Sequence, residues 1–147
     1  MPDSTNNIIF IDTSAIAAIM NKNDQFHKKA VSFYTKILDE EYSLVLTNFI
    51  IAETHALLLK STHDGSLGLK WLGEVAYQAF HIIRPDESDE KEGIKLLTKY
   101  DDKIWSFTDS LSFRTMEKFS IEYYFSFDKD FKQIGKFLDI TEYLDKN

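Results

Sequence analysis

Short unbroken apolar runs alternate along this chain with longer stretches in which apolar residues recur every third or fourth position. A run of the first kind suits a strand buried on both faces, and a stretch of the second kind is the stripe of an amphipathic helix. The predicted strands are 7–11 (NIIFI), 43–47 (SLVLT), 80–84 (FHIIR), 123–127 (YYFSF) and 137–140 (FLDI). Pro85 stops the third, because it cannot donate to a ladder. Helical spacing begins at 15–20, with Thr13 and Ser14 available as caps, and resumes over 25–41, where Phe26, Ala30, Phe33, Ile37 and Leu38 share a stripe. A helix capped by Asn48 then carries Ile51, Ala52, His55, Leu58 and Leu59. After a loop at 61–66 (STHDGS), helices are predicted at 67–79, 86–100 and 109–118. Strands alternating with helices, without hairpin turns between them, predict an α/β fold. The expectation is a single three-layer domain over 1–147, with a central, mostly parallel sheet of four to five strands and a flexible N-terminus at 1–6.

Composition narrows the class. Apolar residues at 44% and aromatics at 14% supply a core, so disorder is not the default. No apolar run approaches the roughly 20 residues that span a bilayer, and MPDSTNN lacks the blocks of a secretory signal. The absence of cysteine removes disulfides, zinc–thiolate sites and a cysteine nucleophile. A cytoplasmic protein without a membrane partner is expected. The net charge of −7 weighs against a nucleic-acid partner unless several acids are gathered around cations.

The placement of the acids suggests such a gathering. Ligands of open parallel sheets bind at the carboxyl ends of the strands. Asp12 directly follows the first predicted strand and Asp128 the fourth, Glu53 lies on the second turn of the helix after Thr47, and Asp109 starts a helix after Ser106-Phe107-Thr108. Carboxylates so crowded repel one another and persist best with bound cations, for which magnesium and its oxygen ligands are suited. Simpler roles compete: Asp12 and Asp109 as helix caps, Glu53 as a solvated residue, Asp128 as a turn acid with Asp130 rivalling it as ligand. Asp101 and Asp102 read as a solvated turn, and His27, His55, His63 and His81 have no mutual ligand spacing. The aromatics of 123–127 read as core, Trp105 as packing beneath the acids, and Trp71 as either core or interface. A haloacid-dehalogenase-type phosphatase would need an Asp where Ser14 stands, a receiver domain would need an acidic pair at Asp12, and no phosphate-cradling glycine loop occurs.

The segments IIFIDTSAI, TNFIIAETHALL, WSFTDSLSFRTMEKFSI and YYFSFDKDF, spread over 8–131, resemble the ordered blocks of PIN domains, in particular the toxin-type virulence-associated protein C ribonucleases. The resemblance implies an endoribonuclease, the toxin of a toxin–antitoxin pair, that hydrolyses RNA phosphodiester bonds with metal-activated water, using Mg²⁺ or Mn²⁺. It implies Asp12, Glu53 and Asp109 as catalytic metal ligands and Asp128 as the acid that completes the site, often through water. Ser126 would orient a ligand or a water, while Thr13 and Ser14 match the small hydroxylated residues after the first Asp. A cognate antitoxin and a homodimer are the implied protein partners. The chain departs from the simplest pattern at 61–80, so substrate choice transfers least. The alternative is a PIN-like module that binds RNA or protein without turnover. Lys28, Lys29 and Lys129, with Lys22 and Lys132 nearby in sequence, are the expected RNA-binding rim.

Overall fold

The computed structural model describes residues 7–145, so the N-terminal segment 1–6 lies outside the described residues. The strands are β1 (Ile8–Ile11), β2 (Ser43–Thr47), β3 (His81–Ile83), β4 (Tyr123–Phe125) and β5 (Leu138–Asp139). They form one sheet in the order β3-β2-β1-β4-β5, and every pairing is parallel. The expected mostly parallel sheet is therefore parallel throughout. The helices are α1 (Thr13–Met20), α2 (His27–Asp39), α3 (Asn48–Thr62), α4 (Gly65–Lys70), α5 (Ala76–Ala79), α6 (Glu87–Lys99), α7 (Phe107–Lys118), α8 (Asp130–Ile134) and α9 (Ile140–Asp145).

From β1 the chain steps outward to β2 and β3, then returns across the sheet to β4 and β5. Parallel crossovers are right-handed, so this reversal puts helices on both faces and opens a crevice at the carboxyl ends of β1 and β4. Burial follows from the central position: Ile8, Ile9, Phe10 and Ile11 are at most 1% exposed. Side chains of that kind contribute about 1.5–3 kcal/mol each when fully buried. Beneath β4, Phe113 meets Phe131 edge to face at 5.1 Å and Trp105 at 5.2 Å, and Tyr124 lies 4.8 Å from Phe131. Trp71 is fully buried and its indole N–H donates to the Ile51 carbonyl at 3.0 Å, which decides its role in favour of core.

Several local expectations are corrected by side-chain chemistry. Asn48 is not the cap of α3. The Thr47 hydroxyl accepts the Ile50 N–H at 3.3 Å, and Asn48 sits inside the first turn with its Oδ1 buried and unpartnered among the described residues. The loop expected at 61–66 shrinks to two residues. The Thr62 hydroxyl bonds back to the Leu58 carbonyl, His63 ends α3 in the left-handed region (φ 53°), and Asp64 at once caps α4 by accepting the Ser66 and Leu67 N–H groups. The helix expected over 67–79 is interrupted by a π turn at Trp71–Val75. Leu38 leaves the α2 stripe and is 49% exposed. The fourth strand stops at Phe125, and α8 and α9 had no counterpart in the sequence pattern.

Between α6 and α7 lies a buried ionic knot. Asp89 is 5% exposed and accepts from Arg114 Nε at 3.1 Å and Lys118 Nζ at 3.2 Å. Its other role is the capping box of α6, in which it accepts the Asp86 N–H while Asp86 accepts the Asp89 N–H. Burial alone would raise the Asp89 pKa, but Asp86, Lys118 and Arg114 together hold it below the ordinary carboxylate value.

Candidate active site

The crevice at the ends of β1 and β4 is built from backbone outward. The Asp12 N–H donates to the Phe125 carbonyl at 3.0 Å, which carries the β1–β4 ladder one residue past β1 and fixes where the carboxylate emerges. Asp12 is 4% exposed and lies at the N-cap of α1 without the usual side-chain capping bond; the Thr13 N–H is the backbone donor that acts on its carboxyl. Ser126 and Ser14 donate to Asp12 Oδ2 at 2.9 and 3.2 Å. When the carboxylate is ionised both hydroxyl protons are used on it, and the 3.1 Å Ser14–Ser126 contact then has none left for itself. Those oxygens also accept backbone donors: Ser126 Oγ from Asp128 N–H at 3.0 Å and Ser14 Oγ from Phe127 N–H at 2.9 Å. This is why β4 ends at Phe125. The chain turns out of the ladder to meet the two hydroxyls.

Glu53, half-buried on α3, is held by hydroxyls of Thr13 and Thr108, and Thr54 in turn donates to Thr13 at 3.5 Å. Asp109 is the third residue of α7 rather than its start. Its Oδ2 accepts the Ser106 N–H at 2.9 Å while Ser106 Oγ accepts the Asp109 N–H at 3.0 Å. The capping role and the site role therefore coexist, with Oδ1 outside the capping box. Asp128 is exposed, and its Oδ1 accepts the Asp130 N–H at 3.2 Å in a tight turn that starts α8.

Electrostatics tie these acids into one field. Burial pushes Asp12 up to about 7, opposed by the Ser126 hydrogen bond and reinforced by the charges of Asp109 and Glu53. Glu53 is raised first by burial and then by Asp109 and Asp128, against its threonine hydrogen bonds. Asp130 is pushed up to about 7 by partial burial, by the charges of Asp109 and Asp128, and by hydrogen bonds to the same two carboxyls. The four acids singled out in the sequence thus lie within electrostatic reach of one another, and Asp130 shares that field through Asp109 and Asp128. The signal for Asp130 was the Asp-Lys-Asp spacing. Thr108 carried no signal, because a hydroxyl within a helical turn before Asp109 looks like one more capping residue.

A divalent cation fits this donor set by chemistry. All the donors are hard oxygens, and one carboxyl is buried with like charges as its nearest ionic neighbours. Among the described residues, however, no three such side chains already stand in ligand geometry, so the acids share a field without forming a closed cage. The other expected participants separate. Lys29, Lys129 and Lys132 line one hollow of about 340 Å³ beside Asp128. Lys22 borders a different hollow with Asn21, Thr62 and Leu67, and exposed Lys28 lines neither. His27 bonds the Ala18 carbonyl at 2.7 Å and His55 packs on Gly68, both structural uses. Asp101 and Asp102 are exposed in a turn, as expected. Among the described residues no helix is long and apolar enough to cross a membrane.

Comparison with known proteins agrees with this fold. The 23S rRNA-specific endonuclease VapC20 of Mycobacterium tuberculosis, from strains H37Rv and CDC 1551, is 26% identical over 131 residues, covering 87% of this chain and 95% of the relative. The crystal structure of Mycobacterium tuberculosis VapC20, a sarcin–ricin loop cleaving toxin, superposes with a TM-score of 0.78 at 24% identity, over 87% of this chain and 95% of that one. The PIN domain sequence profile matches residues 9–137, a span that holds all five acids of the crevice. The chain belongs to the PIN-domain family, and the relatives it resembles are VapC-type toxins.

Proposed function

We propose that this protein is a metal-dependent endoribonuclease and the toxin of a toxin–antitoxin pair, with Asp12, Glu53, Asp109 and Asp128 as its catalytic acids and Asp130 as an additional acid of the same centre. The observation that carries the reading is the buried Asp12 carboxyl, raised to about 7 at the sheet's switch point with Glu53 and Asp109 acting on it. Burying an acid among acids costs stability, and a cation is what converts that cost into function. Asp12, Glu53 and Asp109 would hold Mg²⁺ or Mn²⁺, with Asp128 and Asp130 nearer solvent. A divalent ion bound there supplies Lewis acidity to the phosphoryl oxygens and makes water a competent nucleophile at neutral pH.

The chain's own groups supply positioning. Ser126 and Ser14 fix one oxygen of Asp12, Thr13 and Thr108 fix Glu53, and the Ser106 N–H fixes one oxygen of Asp109. Each acid therefore presents an oriented oxygen without reorganising when substrate arrives. Asp130, raised to about 7, can hold or release a proton near neutral pH within this centre. The name of the relatives makes ribosomal RNA the first substrate to try. An antitoxin protein and a second copy of the chain complete the proposed assembly.

The test is cleavage of labelled ribosomal RNA by EDTA-stripped protein, with and without Mn²⁺, beside Asp12→Asn. Metal-dependent cleavage that Asp12→Asn lowers by two or more orders of magnitude supports the reading. RNA bound but left intact by the metal-loaded wild type would make the protein a non-catalytic PIN-like module.

A further inference from the structure

Beside the acids stands an aromatic ridge that the catalytic reading does not use. Phe26, just before α2, and Phe127, just after β4, stack with ring centroids 4.7 Å apart and planes within 1°. Phe127 is braced edge-on by Phe125 at 5.6 Å, and both rings of the pair remain half-exposed. A hollow of about 460 Å³ opens on one side, lined by Ser14, Gln25 and Leu57, and one of about 340 Å³ on the other, lined by Lys29, Lys132 and Thr141 together with the acids Asp139 and Asp145. The ridge, Asp128 and Lys129 belong to both. Ser14 lies 3.2 Å from Asp12 Oδ2 and Asp128 lines the first hollow, so that hollow adjoins the acidic centre.

We propose that this ridge is a nucleotide subsite: a base flanking the cut stacks in the Ser14 hollow, and the next phosphate lies in the second hollow against Lys29 and Lys129. The inference rests on the ribonuclease reading and adds where the strand runs and what selects it. Both hollows fall within the roughly 300–1,000 Å³ of small-ligand sites. Their chemistry alternates as a single strand does, with an aromatic surface for a base and cations for a phosphate. Lys29 and Lys129 are exposed and have no ion-pair partner among the described residues, whereas Lys132 is engaged by Glu142 at 3.2 Å. On a chain of net charge −7, free lysines beside an acidic centre offer the local attraction an anionic strand needs. Asp24 accepts the Phe26 N–H at 2.8 Å and fixes the rim, leaving the Gln25 amide, both donor and acceptor, to read a base edge.

The experiment measures binding of a short fluorescein-labelled single-stranded RNA in Ca²⁺, and cleavage kinetics in Mn²⁺, for wild type, Phe127→Leu and Phe127→Tyr. Phe127→Leu should weaken binding and raise KM on the order of tenfold, the scale of one base stack, at unchanged kcat. Phe127→Tyr should restore both. RNA made abasic beside the mapped cut should bind wild type as weakly as intact RNA binds Phe127→Leu, and should lose nothing further on the variant. Wild type that binds abasic and intact RNA equally overturns the proposal without relying on any variant's folding. So does a folded Phe127→Leu protein that binds RNA normally but loses a protein partner. If wild type cuts no RNA in Mn²⁺, the ribonuclease reading fails separately, and the affinities of wild type, Phe127→Leu and Phe127→Tyr for intact RNA in Ca²⁺, which need no mapped cut, still decide the subsite.

Discussion

Removing the Asp12 charge should change how the metal-free protein responds to pH. The folded carboxyl is raised from 3.8 to about 7 by burial first, with Asp109 and Glu53 adding to it. Between those values the folded chain binds more protons than the unfolded one, so unfolding free energy falls as pH rises. The contribution is complete below about 3.8 and lost once pH has risen through about 7. At about 1.4 kcal/mol per pKa step, Asp12 alone sets an upper bound on the order of 4 kcal/mol across that window. Glu53, also raised, tilts stability the same way, and Asp130 does so less than its value suggests because water and salt screen a partly exposed group. For a chain of this size the bound corresponds to roughly 10 °C in melting temperature. The assay is thermal melting of EDTA-treated wild type and Asp12→Asn from pH 4 to pH 8. Wild type should lose several degrees that the variant keeps, since Asn retains an acceptor for Ser126 and Ser14 without the charge. Mg²⁺ should return the loss to wild type at neutral pH and do little for the variant. Parallel curves for the two proteins would refute the claim that Asp12 is buried among acids.

Two further outcomes follow from groups outside the acidic centre. Asp89→Asn leaves Arg114 and Lys118 without their shared carboxylate and should cost about 2–3 kcal/mol, below the usual figure for breaking a buried pair because both cations remain partly exposed. Urea unfolding measures it, and specific activity of the folded fraction should be unchanged. Lys29→Ala with Lys129→Ala should weaken binding of single-stranded RNA and reduce the slope of log affinity against log salt by about 0.7 for each phosphate no longer neutralised, whereas Lys22→Ala, at a different hollow, should leave the slope unchanged.

The sheet was legible where burial alone decides structure. SLVLT is an unbroken apolar run closed by a capping threonine, and β2 occupies 43–47 as expected. YYFSF reads equally well as a strand, but it ends at Phe125 because Ser126 spends its hydroxyl on Asp12, a partner 114 residues away that periodicity cannot see. α8 and α9, of five and six residues, are too short to establish a helical period, and packing rather than propensity sustains them. The π turn at Trp71 follows a tertiary demand, the indole reaching the Ile51 carbonyl. Among the candidate site residues, Asp12 and Asp128 were placed by the predicted strand ends and Glu53 by the second turn of the helix after β2. Asp109 was readable as an acid but not as half of a capping box, and the Phe26–Phe127 stack joins residues 101 positions apart that no local pattern connects.

The chemistry of the cut ends tests the central claim most directly. Ribosomal RNA cleaved by the Mn²⁺-loaded protein should carry 5′-phosphate and 3′-hydroxyl ends, because water attacks the phosphorus while the 2′-hydroxyl stays out of the reaction. A substrate with a single 2′-deoxy nucleotide at the mapped cut should still be cleaved. A 2′,3′-cyclic phosphate, or failure to cut the 2′-deoxy substrate at unchanged affinity, would contradict the account.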